Sequence, residues 1–204
     1  MELLIGTHNR HKTSEISKIL KGLPLKILDL TSFPGTQPVE EDGETLLDNA
    51  VKKARHYAGL SGRLTLADDT GLEVGALNGE PGVKSARYAG ESCSYADNNS
   101  KLLYLLARSK TMDRSAVFKC VIALFDPQSG TVLSEEGALK GEILDSPRGQ
   151  NGFGYDPVFY VPELKKTFAE LSGDEKNRVS HRAIAVLKMK KRLERLLKEP
   201  SVKK

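Results

Sequence analysis

Residues 116–144 read AVFKCVIALFDPQSGTVLSEEGALKGEIL. Two strand-forming runs flank DPQSG, whose residues favour chain reversal, so the stretch reads as an antiparallel hairpin. The earlier part of the chain follows a different rule. ELLIG reads as a strand, KTSEISKIL as a helix and LKILDL as a half-buried strand. After the turn-rich TSFPGTQPVEEDG, the stretch ETLLDNAVKKARHYAGL is an amphipathic helix. It has Leu46, Leu47, Ala50, Val51, Ala54 and Ala58 at helical spacing and Gly59 placed to end it. RLTLA is a further strand, ending in the turn-like DDTG. Strands alternating with helices call for parallel pairing, and a hairpin calls for antiparallel pairing. A chain with both is α/β with a mixed sheet covered by helices, rather than a pure doubly wound sheet.

The remaining elements fit that frame. DNNSKLLYLLARSK reads as a helix with Leu102, Leu103, Leu105 and Leu106 as its buried stripe, VFYVP as a strand, and SHRAIAVLKMKKRLERLL as the last helix. With 204 residues, the chain suits one domain, or two small lobes sharing a core. We expect one domain over 1–198 and a basic tail over 199–204. The net charge of +4 fits an anionic ligand without requiring nucleic acid, and the basic run from Lys188 to Lys204 reads as a solvated helix face and tail. No apolar stretch approaches the ~18 residues that cross a bilayer, and the N-terminus lacks a signal-peptide pattern. Cys93 and Cys120 lie far apart with no C-x-x-C spacing, which speaks against a disulfide framework and for the cytoplasm, with Cys120 in the core.

Four loops carry candidate chemistry. In GTHNRHKTSE, a strand passes through a polar turn into a helix start. Unpaired N–H groups, Thr7, Asn9 and the charge of Lys12 can cradle a phosphate there, and a plain polar cap by Asn9 is the other reading. In EEDG, residues 40–43, adjacent carboxylates repel and call for a cation. Glu40 or Glu41, with a partner elsewhere, can hold Mg²⁺, or the acids can simply favour the following helix dipole. Asn49 and Lys53 on that helix are four apart and share a face. In LADDTG, Asp68 and Asp69 alternate along an extended chain, so only one of them readily faces a given ligand. A carboxylate from this loop and one from EEDG would together make a hard, oxygen-rich metal site. Finally, GQNGFGYDP and SHR combine glycines, Phe153, Tyr155, His181 and Arg182. An aromatic can cover a flat base, and an arginine fork matches the O6 and N7 acceptors of a 6-keto purine. Together these features describe a nucleotide phosphohydrolase.

The motifs T-x-N-x-x-K (Thr7 to Lys12), EEDGETLLDNAVKKA, LADDTGLEV, NGEPGVKSARYAG, NGFGYDPVF, FAELSGDEKN and SHR occur in this order, and the chain resembles the inosine triphosphate pyrophosphatases from Leu3 to about Leu197. The resemblance implies an elongated mixed sheet flanked by helices, in two lobes around a central cleft, as a homodimer. It implies Mg²⁺-dependent hydrolysis of ITP, dITP and XTP to the monophosphate and pyrophosphate, with water attacking the α-phosphorus. Glu40 and Asp69 would hold the metal, and Asp69 would also serve as general base or orient the water. Thr7, His8, Asn9, Arg10, His11, Lys12, Lys53 and Thr70 would contact substrate. Phe153 would stack on the base, with Gly154, Tyr155 and Asp156 completing the pocket and Lys176, His181 and Arg182 at the base edge. Two alternatives remain at this level: a Maf-like pyrophosphatase acting on other nucleotides, and a nucleotide-binding module without chemistry.

Overall fold

The computed structural model describes residues 1–198, so the expected tail at 199–204 lies outside the described residues. Strand β1 (Glu2–Ile5) leads into helix α1 (Arg10–Leu20), which Asn9 caps by accepting from the N–H groups of His11 and Lys12. After β2 (Lys26–Asp29), helix α2 (Leu46–Ser61) opens with a capping box formed by Thr45 and Asp48. The helix does not stop at Gly59. It ends at Gly62, whose φ of +64° gives the left-handed cap that residues with a Cβ resist.

Strand β3 (Leu64–Val74) is the second departure from expectation. The sequence pattern stopped it at DDTG, yet the strand runs through that segment. It pairs antiparallel with β5 (Ser115–Phe125) from Thr65↔Phe125 to Val74↔Ala116. Gly71 reads as a turn residue but has another use. The two-residue strand β4 (Pro81–Gly82) pairs so closely that a Cβ at position 71 would lie 2.8 Å from the Gly82 carbonyl oxygen.

The expected hairpin is present. β5 pairs antiparallel with β6 (Val132–Ile143) along its whole length, from Ser115↔Glu142 to Phe125↔Val132. Helix α3 (Tyr95–Arg108) precedes β5, and its fully buried leucines are Leu102 and Leu106, with Leu103 and Leu105 partly covered. The chain closes with β7 (Phe159–Val161), β8 (Lys166–Thr167), α4 (Gly173–Val179) and α5 (His181–Lys198). The sheet has the order β2-β1-β3-β5-β6-β7-β8, with β4 on β3. β1 is parallel to both β2 and β3, and the other pairings are antiparallel.

Strand alternation assigns the two faces of this sheet. Leu3, Ile5, Leu66, Cys120, Ile122 and Leu124 pack against Ile16 and Leu20 of α1 and Val186, Met189 and Leu193 of α5. Ala67, Val121 and Ala123 face Ala50 and Ala54 of α2 on the other side. Burying each of the larger side chains contributes roughly 1.5–3 kcal/mol. The small residues on the α2 side let that helix lie close to the sheet. A third cluster, built on Phe118, Phe159 and Phe168, joins α3 to the far end of the sheet. A Cβ at Gly137 on β6 would collide with the His181 carbonyl, so glycine there lets the start of α5 sit directly on the sheet.

Candidate active site

Because β3 is continuous through Asp68 and Asp69, it delivers one carboxylate to each face of the sheet. Asp69 points to the α2 side. Its Oδ2 accepts from Asn49 Nδ2 at 3.2 Å, and its Oδ1 lies 3.1 Å from Lys53 Nζ. Asn49 and Lys53 are the pair that the sequence places on one helical face, and both are buried. The Lys53 ammonium also meets Glu41 Oε1 at 2.5 Å. One lysine thus joins a strand carboxylate to the carboxylate of the 40–43 loop. Burial raises the affinity of Asp69 for a proton, Lys53 opposes this, and the nearby Glu41 adds to it, so the net shift is upward. Burial alone would lower Lys53, but Asp69 and Glu41 outweigh it and hold the ammonium charged.

Asp68 points to the α1/α5 side and is fully buried. Its Oδ2 is 3.0 Å from Lys12 Nζ and 3.3 Å from Arg182 Nε, and it accepts from Thr70 Oγ1 at 3.2 Å. Burial pushes this carboxyl up, but the charges of Lys12 and Arg182 prevail and hold it well below the ordinary carboxylate range. Arg182 donates through Nη1 to Glu15 at 2.5 Å and through Nη2 to Thr70 Oγ1 at 3.0 Å. With Nε on Asp68, these contacts leave one N–H on each terminal nitrogen of the fork. Lys12, Asp68, Arg182 and Glu15 therefore form a continuous chain of ion pairs, which Lys176 extends beyond Glu15. Lys12 and Glu15 are three apart on α1 and so face the same way.

The loop between β6 and β7 supplies the third wall. A Cβ on Gly152, at φ +76°, would collide with the Asp156 carboxylate, so only glycine lets this turn close. Asp156 Oδ2 accepts from Phe153 N at 2.8 Å and from Lys176 Nζ at 2.6 Å. Burial raises its proton affinity and Lys176 only partly offsets that. Lys176 Nζ also meets Glu15 Oε1 at 3.1 Å and sits 4.6 Å from the centre of the Phe153 ring. The Tyr155 hydroxyl donates to the Ser85 carbonyl at 2.9 Å, and Asn99 Nδ2 donates to the Gly154 carbonyl at 2.9 Å. His181 stacks on Phe118 with centroids 4.5 Å apart, and neither ring nitrogen finds a partner among the described residues. Burial, then the charges of Arg182 and Lys176, hold its imidazole neutral well below its usual titration point. It therefore presents one donor and one acceptor.

These walls enclose a cavity of about 270 Å³. Thr7, His8, Asn9, Lys12, Lys53, Asp69, Thr70, Phe153, Gly154, Tyr155, Asp156, Lys176, His181 and Arg182 all line it, although they come from segments far apart in the chain. Three of the expected residues stand elsewhere. Glu40 is exposed and outside the cavity lining, whereas its neighbour Glu41 lines the cavity and reaches Lys53. Arg10 is exposed and outside the cavity, and His11 lies behind Phe153, stacked on it at 5.2 Å. The helix start is also used differently from an open cradle. The Asn9 side chain already satisfies the His11 and Lys12 N–H groups, so the positive charge at this end comes from Lys12 and Lys53. Sequence reasoning missed Glu15, Tyr57, Tyr95 and Asn98, the last three on the cavity wall. Only Glu15 carried a signal, its i+3 spacing from Lys12.

Comparison with known proteins places this geometry among relatives. The family model described as Ham1 family matches residues 3–192. A dITP/XTP pyrophosphatase of Thermoanaerobacter pseudethanolicus is 49% identical over 199 residues, covering 98% of this chain and 100% of its own length. One of Geobacter sulfurreducens is 51% identical over 188 residues, covering 91% of this chain and 94% of its own. Among solved structures, a HAM1 protein from Coxiella burnetii superposes with a TM-score of 0.88 at 42% identity, covering 96% of this chain and 99% of that one. The Staphylococcus aureus Ham1 protein gives 0.85 at 41% identity, covering 96% and 100%.

Proposed function

The chain belongs to the Ham1 family, and on that premise we propose that it is a Mg²⁺-dependent nucleoside triphosphate pyrophosphatase. Its substrates are the non-canonical purine nucleotides ITP, dITP and XTP, which it cleaves to the monophosphate and pyrophosphate, clearing them from the nucleotide pool. The observation that carries this reading is the meeting of Glu41 and Asp69 at Lys53, in the same cavity as Phe153, His181 and Arg182.

The donor set fits Mg²⁺. Two carboxylates from separate elements converge on one cationic group. No cluster of three or more His, Cys, Asp or Glu suited to a metal occurs among the described residues. Mg²⁺ takes one or two carboxylates and completes its shell with water and substrate phosphates, whereas a site that cages its metal with protein groups needs more ligands. Glu41 and Asp69 would hold it. When bound, Mg²⁺ supplies positive charge against the phosphate oxygens and lowers the pKa of water.

The remaining steps belong to the chain's own side chains. Lys12 and Lys53 draw the triphosphate along the wall between α1 and α2. Asp69 uses only part of its acceptor capacity on Asn49 and Lys53, which leaves lone pairs to orient the attacking water and take its proton. At the other end Phe153 offers a ring to the base. The two free N–H groups of Arg182 match the O6 and N7 acceptors of a 6-keto purine, and a 6-amino group would set donor against donor. The neutral His181 adds a donor and an acceptor at the same edge. Cys93 and Cys120 are unpaired, which suits a reducing cytoplasm. Among the described residues, no helix is long and apolar enough to cross a membrane.

A nucleotide panel tests the reading. With Mg²⁺, ITP and XTP are expected to release pyrophosphate, with ATP far poorer, and chelation is expected to abolish the reaction. Equal turnover of ATP and ITP would overturn the role given to Arg182. Binding of ITP without turnover would leave a binding module.

A further inference from the structure

We propose that Arg87 is a positioning residue that clamps the 40–43 loop and so sets the distance between the Glu41 and Asp69 carboxylates. The proposal rests on the Mg²⁺ reading given above. Arg87 lies outside the cavity lining. Its Nη2 donates to the backbone carbonyl of Glu41 at 2.6 Å, and its side chain is 27% exposed. The ion pair of the guanidinium is a 3.6 Å approach to Glu91, whose own side chain is 87% exposed, so the backbone of Glu41 is its principal partner.

What Arg87 stands on matters as much as what it holds. It ends the short turn Ser85–Arg87, and Ser85 ties that turn to the sheet. The Ser85 hydroxyl accepts from Leu72 N at 2.8 Å and donates to the Gly82 carbonyl at 2.6 Å. Leu72 is on β3, three residues after Asp69. Arg87 therefore completes a hydrogen-bonded connection from the strand that bears Asp69 to the loop that bears Glu41. On the far side of Glu41, the N–H of Gly43 donates to Asn49 Oδ1 at 2.8 Å, and Asn49 Nδ2 holds Asp69 itself. The segment from Glu41 to Gly43 is thus pinned at both ends to groups fixed relative to Asp69. It forms no helix or strand of its own; Lys53 and Lys52 hold the Glu41 and Asp42 side chains, and these two clamps hold the backbone. Two carboxylates held at a fixed spacing bind a small, geometrically demanding cation better than one fixed and one wandering carboxylate.

The test compares wild type with Arg87→Ala and Arg87→Lys. At saturating ITP, Arg87→Ala is expected to need on the order of tenfold more Mg²⁺ for half-maximal rate, the size typical of losing a group that orients a metal ligand. The maximal rate at high Mg²⁺ is expected to stay near wild type, with the KM for ITP there unchanged. Mn²⁺ titrated into the nucleotide-free proteins and followed by electron paramagnetic resonance is expected to show the same weakening without turnover. Arg87→Lys, which keeps one donor, is expected to fall between. Hydrogen exchange across residues 40–44 is expected to quicken in Arg87→Ala. Unchanged Mg²⁺ and Mn²⁺ constants, or a rate lost equally at every Mg²⁺ concentration, would overturn the clamp. A wild-type enzyme indifferent to divalent cations would overturn the Mg²⁺ reading instead, and unchanged exchange at 40–44 would then overturn the clamp independently.

Discussion

Asp69→Asn is expected to lower kcat for ITP by about 10²–10⁴-fold, the range typical of removing a positioned general base. The substitution keeps size and shape at a site that is only 4% exposed. Lys53 retains Glu41 as a charged partner, and an asparagine can still offer its oxygen to Lys53 or Asn49. What it loses is the proton acceptor we propose and one of the two charges we propose to hold Mg²⁺. The KM for ITP is expected to move far less than kcat, because Lys12 and Lys53 keep their charges. Steady-state kinetics together with circular dichroism check this. A folded variant with full turnover would remove Asp69 from the mechanism.

Arg182→Lys carries the second large effect, on stability and on base choice together. Arg182 is 1% exposed and bonds Asp68, Glu15 and Thr70 at once. A lysine keeps the charge but cannot reproduce a planar fork. Breaking buried ion pairs costs about 3–5 kcal/mol when the charge is removed, so a loss of roughly 2–3 kcal/mol is expected with the charge retained, measured by urea unfolding. Preference for ITP over ATP is expected to narrow by on the order of 10²-fold in kcat/KM, since a site built to hydrogen-bond its substrate loses much of its discrimination with the donors. The same change has a pH signature. Asp68 is lowered in the folded protein, so its contribution to stability is complete above the unfolded carboxylate pKa of about 4 and is lost as pH falls through its lower folded value. Weakening its partner brings that folded value closer to the unfolded one. Acid unfolding should therefore begin at higher pH in the variant.

The fold was legible wherever one short window held the whole signal. DPQSG between two apolar runs specifies the β5–β6 hairpin, and the helical spacing from Leu46 to Ala58 specifies α2. Glycine misled at two positions because its local meaning depends on what approaches it. Gly59 continues α2, while Gly62 ends it. Gly71 resembles a turn but lies in a strand so that the Gly82 carbonyl can come near. In the site, alternation along β3 correctly separated Asp68 from Asp69, but which face each served depended on helices packed later. Glu40 and Glu41 cannot be ranked by spacing in an irregular loop. Arg87, far along the chain, and Asn49, on the following helix, hold the backbone on either side of Glu41, whose carboxylate meets Lys53. The ion pair joining Glu15 to Arg182 spans nearly the whole chain, and nothing local in either residue announces it.

The central claim is that this cavity grips the triphosphate so that water attacks the α-phosphorus and pyrophosphate departs. Hydrolysis of ITP in water enriched in oxygen-18, with mass analysis of both products, tests it directly. The account predicts one labelled oxygen in the nucleoside monophosphate and none in pyrophosphate. Label in pyrophosphate, or release of orthophosphate as the primary product, would contradict it.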